Sequence, residues 1–325
     1  MNVTQAGGTM TGTRTAIQVR GLRKAYADKV VLDGIDLTIP EGSVFSLLGP
    51  NGAGKTTVVN ILATLIKADS GEVSVAGFDP VRQANEVRSL IGVTGQFSAV
   101  DPYLNAQENL ALMADLWHLP KQAGRQRAAE LLEKFDLVND ATKPVFTFSG
   151  GMKRRLDLAM TLVGSPRIIF LDEPTTGLDP RSRRGMWEII RNLVRQESVT
   201  IFLTTQYLEE ADQLADQVAV LDGGRLVAEG TVDELKRQIP GGHMLLTFAS
   251  GQALESAVRT LGQGVTRNDE DLTLQVPSDN SATAVQSVLD RLDSHEISQL
   301  SLHTPDLDDV FLALTGQHTE KKVQS

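Results

Sequence analysis

Nine residues constrain this chain more than any others: Gly49-Pro50-Asn51-Gly52-Ala53-Gly54-Lys55-Thr56-Thr57. They directly follow the apolar run Val44-Phe45-Ser46-Leu47-Leu48 and directly precede Val58-Val59-Asn60-Ile61-Leu62-Ala63-Thr64-Leu65. The spacing Gly-x-x-x-x-Gly-Lys-Thr, set between a strand and a helix, lets backbone N–H groups turn inward around a phosphate. Lys55 then reaches the β and γ phosphates, and the Thr56 hydroxyl is available to Mg2+. All nine residues are candidate phosphate contacts. Glu72-Val73-Ser74-Val75-Ala76 returns to strand, so the order is strand, loop, helix, strand.

Further on, Ile168-Ile169-Phe170-Leu171-Asp172-Glu173 is an apolar strand that ends in two carboxylates. On its own, such a pair reads as an acidic strand end facing solvent. Beside a phosphate loop, Asp172 is placed to hold the metal and Glu173 to sit near the γ phosphate. There Glu173 can accept a proton from an attacking water, or orient it.

The organisation around these motifs is mixed. From Ile17 to Leu48, short apolar runs are separated by Gly21, Asp28, Gly34 and Pro40-Glu41-Gly42, which predicts short strands joined by turns. Between Asn105 and Val138 the spacing becomes helical, with Leu110, Leu112, Met113 and Leu116 on one element and Ala128, Leu131, Leu132 and Phe135 on the next. Beyond Ser149, helices alternate with the apolar strands Ile168 to Leu171, Thr200 to Thr204 and Gln217 to Leu221, the mark of a mostly parallel sheet covered by helices. The remainder reads as strand, helix, strand, strand, helix, strand, which is the order of a split βαβ, ferredoxin-like sandwich, followed by a helix at Leu307 to Leu314.

The expected division is therefore an arm at 1–15, a first domain at 16–240 with a helical subdomain at about 97–160, a small α+β domain at 241–317 and a tail at 318–325. The fold class is α/β, a phosphate-loop NTPase core with an antiparallel β subdomain.

Composition narrows the partners. With 325 residues, 41% hydrophobic and 22% charged, the chain is long enough for one large domain and a smaller one. A formal net charge of −10 weighs against broad binding to nucleic acid, and the absence of cysteine fits a reducing cytoplasm. Met1 to Thr15 is rich in Thr and Gly and reads as a disordered arm rather than a secretory signal. The apolar runs are strand-sized, far short of the ~20 residues that cross a bilayer, so work at a membrane would need another chain to cross it.

Phe148-Ser149-Gly150-Gly151-Met152, followed by Lys153-Arg154-Arg155 and then by Asp172-Glu173-Pro174-Thr175-Thr176-Gly177-Leu178-Asp179-Pro180, resembles the ABC ATPases over about Ile17 to Arg237. The resemblance implies ATP and Mg2+ as cofactors. It also implies that Ser149, Gly150, Gly151 and Met152 form a signature loop that binds a γ phosphate carried by the opposite subunit. A plain helix N-cap is the alternative for Ser149, and the two uses share one geometry.

By the same likeness, Asp179 communicates across the dimer, or is simply a turn-forming residue before Pro180. Gln96 touches the metal or the attacking water. Tyr26 stacks on adenine, with packing as its alternative. Most members of the family carry a switch histidine where this chain has Gln206. A glutamine can hydrogen-bond a γ phosphate but cannot shuttle a proton. Catalysis then leans harder on Glu173.

The string Thr204-Thr205-Gln206-Tyr207-Leu208-Glu209-Glu210-Ala211-Asp212, with the late Leu307-Asp308-Asp309-Val310-Phe311-Leu312-Ala313-Leu314-Thr315-Gly316, is similar to the daunorubicin-resistance group of drug-exporter ATPases. That likeness implies a homodimer or a closely related heterodimer on the cytoplasmic face of the membrane. The dimer would be held by separate permease subunits, with 97–109 as the docking surface and no nucleic-acid partner. The other classes considered are a non-transport ABC protein acting on ribosomes or DNA and a membrane-associated regulator. The first usually carries two cassettes, coiled-coil insertions or zinc modules.

Overall fold

Three runs of the chain are buried at every position: β3 (Val44–Leu48), β6 (Ile168–Asp172) and β7 (Thr200–Thr205), with strands and helices each numbered in chain order. Burial on both faces is what the centre of a helix-covered parallel sheet demands, and it explains why these runs lack an alternating polar side. The computed structural model of the protein describes residues 14–95, 99–237, 242–278, 281–292, 296–303 and 306–311. These form two compact units that divide between Val232 and Asp233.

The first unit begins with β1 (Thr15–Tyr26) and β2 (Lys29–Pro40), then β3, α1 (Lys55–Leu62), β4 (Ser70–Val75), α2 (Ala84–Leu90) and β5 (Ile91–Thr94). Helices α3 (Ala106–Leu116), α4 (Lys121–Lys134) and α5 (Gly150–Thr161) follow. The sheet resumes with β6, α6 (Pro180–Glu197), β7, α7 (Leu208–Leu214), β8 (Gln217–Asp222) and β9 (Arg225–Gly230). The main sheet runs β5-β6-β7-β3-β8-β9, parallel except for β9. β7 is thus inserted between β6 and β3, so that Asp172 pairs with Thr204 and Thr205 with Leu48. The carboxyl ends of these three neighbours lie together, where open α/β sheets place their ligands.

Period-two alternation assigns the faces. Ile168, Phe170 and Phe202 point to a core shared with α1 and the three-stranded antiparallel sheet β2-β1-β4, where Phe202 packs 5.4 Å from Phe45 and 5.7 Å from Phe170. Ile169, Leu171, Ile201 and Leu203 point the other way, to α3, α4, α5 and α6. In that layer Asn105 and Glu108 close a reciprocal cap on α3: the Glu108 N–H donates to Asn105 Oδ1 at 2.9 Å, and the Asn105 N–H donates to Glu108 Oε2 at 2.8 Å.

Two local expectations change. Gly21 and Gly34 do not end strands. They lie inside two strands of 12 residues each, with φ of +58° and +78°, where the β1–β2 register slips. A bulge uses the same left-handed freedom as a turn, so the two look alike in sequence. The helix after the phosphate loop starts at Lys55 and stops at Leu62, with Thr64 turned to φ +65°.

After α8 (Val232–Arg237), the second unit comprises β10 (His243–Phe248), α9 (Gly251–Leu261), β11 (Thr266–Asn268), β12 (Thr273–Pro277), α10 (Ala282–Leu289) and β13 (Ile297–His303). Its sheet order β11-β12-β10-β13, antiparallel throughout, is that of a split βαβ sandwich. Met244, Leu246 and Phe248 alternate inward to meet Leu254 and Ala257 of α9. Leu307–Phe311 is helical, and 312–325, like 1–13, lie outside the described residues.

Candidate functional site

The loop Gly49 to Gly54 crosses from the carboxyl end of β3 to the first turn of α1. Two of its glycines are irreplaceable for different reasons. A Cβ on Gly49 would stand 2.3 Å from the Leu221 carbonyl oxygen, and Gly54 adopts φ +113° with a Cβ position 2.7 Å from Leu32 Cδ2. Gly54 is also the N-cap of α1 and brings no side chain to cap it. The first amides of that helix are therefore left for an anion.

Lys55 is buried and folds back over the loop. Its Nζ donates to the Gly49 carbonyl at 2.7 Å and the Pro50 carbonyl at 3.3 Å, and stands 3.7 Å from Glu173 Oε1. Burial holds this ammonium below the ordinary lysine range, and the charges of Glu173 and Asp172 oppose the shift. Thr56 Oγ1 donates to Asp172 Oδ2 at 3.0 Å, and Thr204 Oγ1 donates to Asp172 Oδ1 at 2.5 Å. Both carboxylate oxygens are thus oriented, one by α1 and one by β7. A hydroxyl and a carboxylate are hard oxygen donors. That small set suits Mg2+ shared with phosphate oxygens.

Glu173, next along the chain, has a left-handed backbone at φ +50°. For a residue with a Cβ this costs about 1–2 kcal/mol. Its N–H donates to the Thr204 carbonyl at 3.0 Å, and its Oε2 accepts from Thr176 Oγ1 at 3.3 Å. The backbone turn carries the carboxylate toward Lys55 instead of along the strand. Gln206, half-buried, follows the end of β7, one residue beyond the Thr205 that pairs with Leu48.

Other expected residues group elsewhere. Ser149 is the N-cap of α5, its Oγ accepting from the Met152 N–H at 3.2 Å, and Ser149 and Gly150 are exposed. Asp179 caps α6, accepting from the N–H groups of Arg181 and Ser182 at 3.0 Å each and from Ser182 Oγ at 2.6 Å. A Cβ on Gly151 would stand 2.6 Å from that same Ser182 Oγ, so the starts of α5 and α6 press together. Tyr26, 49% exposed at the end of β1, has the Lys24 ammonium 5.4 Å from its ring centroid and takes no part in these bonds. Gln96 lies outside the described residues, as does part of 97–109.

Three further residues join the site's framework. Thr204 orients Asp172. Arg154, one of the three basic residues after the signature string, reaches the backbone at Asp172 to Pro174. Glu210, fully buried, has Oε1 accepting from Thr175 Oγ1 at 2.8 Å and Trp187 Nε1 at 3.1 Å. Burial pushes its carboxyl above the ordinary range. The advance signal for Thr204 is a polar residue at the end of an otherwise apolar run, whereas Glu210 sits in an acidic helix start that gives no sign of its burial.

Known proteins resemble this chain in sequence and in fold. Residues 32–176 match the family model described as ABC transporter, and residues 230–315 match the C-terminal domain of DrrA1-3-like ATP-binding proteins. The daunorubicin resistance ATP-binding protein DrrA3 of Streptomyces coeruleorubidus is 47% identical over 311 residues, 95% of this chain and 98% of that one. The linearmycin resistance ATP-binding protein LnrL of Bacillus subtilis is 34% identical over 307 residues, 93% of this chain and 98% of that one. Among solved structures, an ATP-binding subunit of an ABC transporter superposes with a TM-score of 0.62 at 27% identity, covering 69% of this chain and 93% of that one. An ATP-binding cassette solved as a dimer in a post-hydrolysis state, bound to ADP and Pi, gives a TM-score of 0.60 at 26% identity, covering 66% of this chain and 98% of that one.

Proposed function

The chain belongs to the family of ABC transporter ATP-binding proteins, and from that premise we propose that it binds and hydrolyses ATP to power an exporter whose membrane-crossing part is a separate subunit. No helix of the described residues is long and apolar enough to cross a membrane itself. The observation that carries the reading is the convergence on one loop. Lys55 and Thr56 at the start of α1 meet Asp172 and Glu173 at the end of β6 within hydrogen-bond or ion-pair distance.

In this reading Gly49 to Thr57 wrap the phosphates, with Lys55 on the β and γ groups. Thr56 and Asp172 hold Mg2+, joined by Gln96. Bound Mg2+ supplies positive charge against the phosphate oxygens. Glu173 accepts the proton of the attacking water, and Gln206 hydrogen-bonds the γ phosphate. Tyr26 stacks on the adenine.

Ser149, Gly150, Gly151 and Met152 serve the nucleotide of a second copy, with Asp179 beside them. This is supported by the exposure of Ser149 and Gly150, and by the likeness to a cassette that was solved as a dimer. Two copies closing on ATP would bind the closed state more tightly than the open one, and that differential binding is the source of work. The relatives named for daunorubicin and linearmycin resistance support a drug-like or antibiotic cargo, and the chain then works at the cytoplasmic face of the membrane.

The test is copurification from membranes of the producing cell, followed by ATP-dependent drug movement in vesicles made with the recovered complex. Recovery of a multi-spanning partner together with ATP-dependent uptake of an anthracycline is the expected result. A chain that recovers no membrane partner and hydrolyses ATP alone would sink the exporter reading. Gln206→Ala is expected to lower kcat about two- to tenfold, the worth of one neutral hydrogen bond. An unchanged kcat would remove Gln206 from the reaction.

A further inference from the structure

Arg154 leaves the second turn of α5, and its guanidinium is largely buried. Its Nε donates to the Pro174 carbonyl at 2.8 Å, and Nη2 donates to the Asp172 carbonyl at 3.2 Å and the Glu173 carbonyl at 3.4 Å. Nη1 donates to the Gly95 carbonyl at 3.0 Å and to Asp157 Oδ2 at 3.2 Å. Asp157, one turn further along α5, accepts in addition from the Ala99 N–H at 3.2 Å. Only arginine offers five N–H donors in one rigid plane, and here that plane is laid against three consecutive carbonyls.

Those carbonyls bracket the left-handed residue Glu173 (φ +50°). On the opposite side the Glu173 N–H is tied to the Thr204 carbonyl. The unfavoured turn is therefore gripped by β7 on one side and by α5 on the other.

We propose that Arg154 is a positioning residue for hydrolysis: it fixes the backbone from Asp172 to Pro174 so that the Glu173 carboxylate faces the phosphate loop. The same grip makes that orientation depend on α5, which starts at the exposed Ser149 and Gly150 of the proposed signature loop. This rests on the reading of Glu173 as the residue that handles the attacking water. Lysine cannot take the place of Arg154, because one ammonium cannot span three carbonyls in a line.

The test is ATP turnover by the full-length chain carrying Arg154→Lys, Arg154→Ala or Asp157→Asn, each alone and combined with Glu173→Gln, with thermal melting to establish folding. Arg154→Lys is expected to lower kcat about 10- to 100-fold with KM for ATP within about twofold, because the loop itself is untouched. In the Glu173→Gln background the same substitution should change the residual turnover less than about twofold, since both act through one carboxylate. If the Arg154 variants melt below the assay temperature, Asp157→Asn carries the same pattern at about three- to tenfold.

Wild-type kcat in the folded Arg154→Lys chain, or a loss that multiplies in full onto Glu173→Gln, overturns the proposal. Low turnover in Glu173→Gln beside wild-type kcat in Arg154→Lys removes this proposal alone. Wild-type turnover in Glu173→Gln removes the reading of Glu173 and this proposal with it.

Discussion

Glu173→Gln is expected to lower ATP turnover by about 10²- to 10⁴-fold, the usual worth of a positioned general base, while ATP binding is kept. The amide has the shape of the carboxylate and can still accept from Thr176, so the left-handed turn and its anchors persist. What it cannot do is take a proton at neutral pH. Binding should hold or tighten, because the lost negative charge stands 3.7 Å from Lys55, where it competes with phosphate for the ammonium. With hydrolysis stopped, a closed pair of chains should persist in ATP and appear as a dimer by size-exclusion chromatography with light scattering. Phosphate release equal to that of the unsubstituted chain would exclude Glu173 as the base.

Lys55→Ala is expected to weaken ATP binding by about 10²- to 10³-fold and to remove measurable turnover. Charge-assisted hydrogen bonds to phosphate are each worth about 1.5–3 kcal/mol, and Lys55 is positioned to make more than one. Its Nζ rests on the Gly49 and Pro50 carbonyls, which hold the group over the loop. Removing it also leaves Glu173 buried without its cation. Equilibrium binding of a fluorescent ATP analogue reads the effect, and an unchanged Kd would exclude Lys55 from phosphate binding. The two substitutions separate binding from chemistry, since one is expected to impair affinity and kcat together and the other kcat alone.

Much of the architecture is legible in the chain because strong local rules agree. Val44–Leu48, Ile168–Asp172 and Thr200–Thr205 are largely apolar runs of strand length, and each is followed by a polar residue or glycine that marks its carboxyl end. The glycine pattern of the loop is equally readable, because Gly49 and Gly54 answer to a steric demand that no other residue meets.

Other features are set by partners distant in sequence. Nothing local in Gly21 or Gly34 separates a bulge from a turn; the β1–β2 register decides it. Thr204 is tied to Asp172 by a strand order that joins positions 32 apart in the chain. Arg154 reads as one of three basic surface residues until α5 packs against the end of β6 and its fan of donors finds three carbonyls. Glu210 likewise reads as part of an acidic helix start, although it is fully buried beneath Thr175 and Trp187.

The backbone of Glu173 has a consequence for how such a chain drifts under selection. Glycine at position 173 would relieve the left-handed strain, so the local fold favours the very replacement that discards the carboxylate. That carboxylate is also the partner of the buried Lys55 ammonium, 3.7 Å away, which glycine would leave unpaired. Position 173 thus sets a backbone gain against an electrostatic loss, so glycine alone should not raise the melting temperature, and the relief at φ +50° should appear as stability only in a chain that has also lost the Lys55 charge.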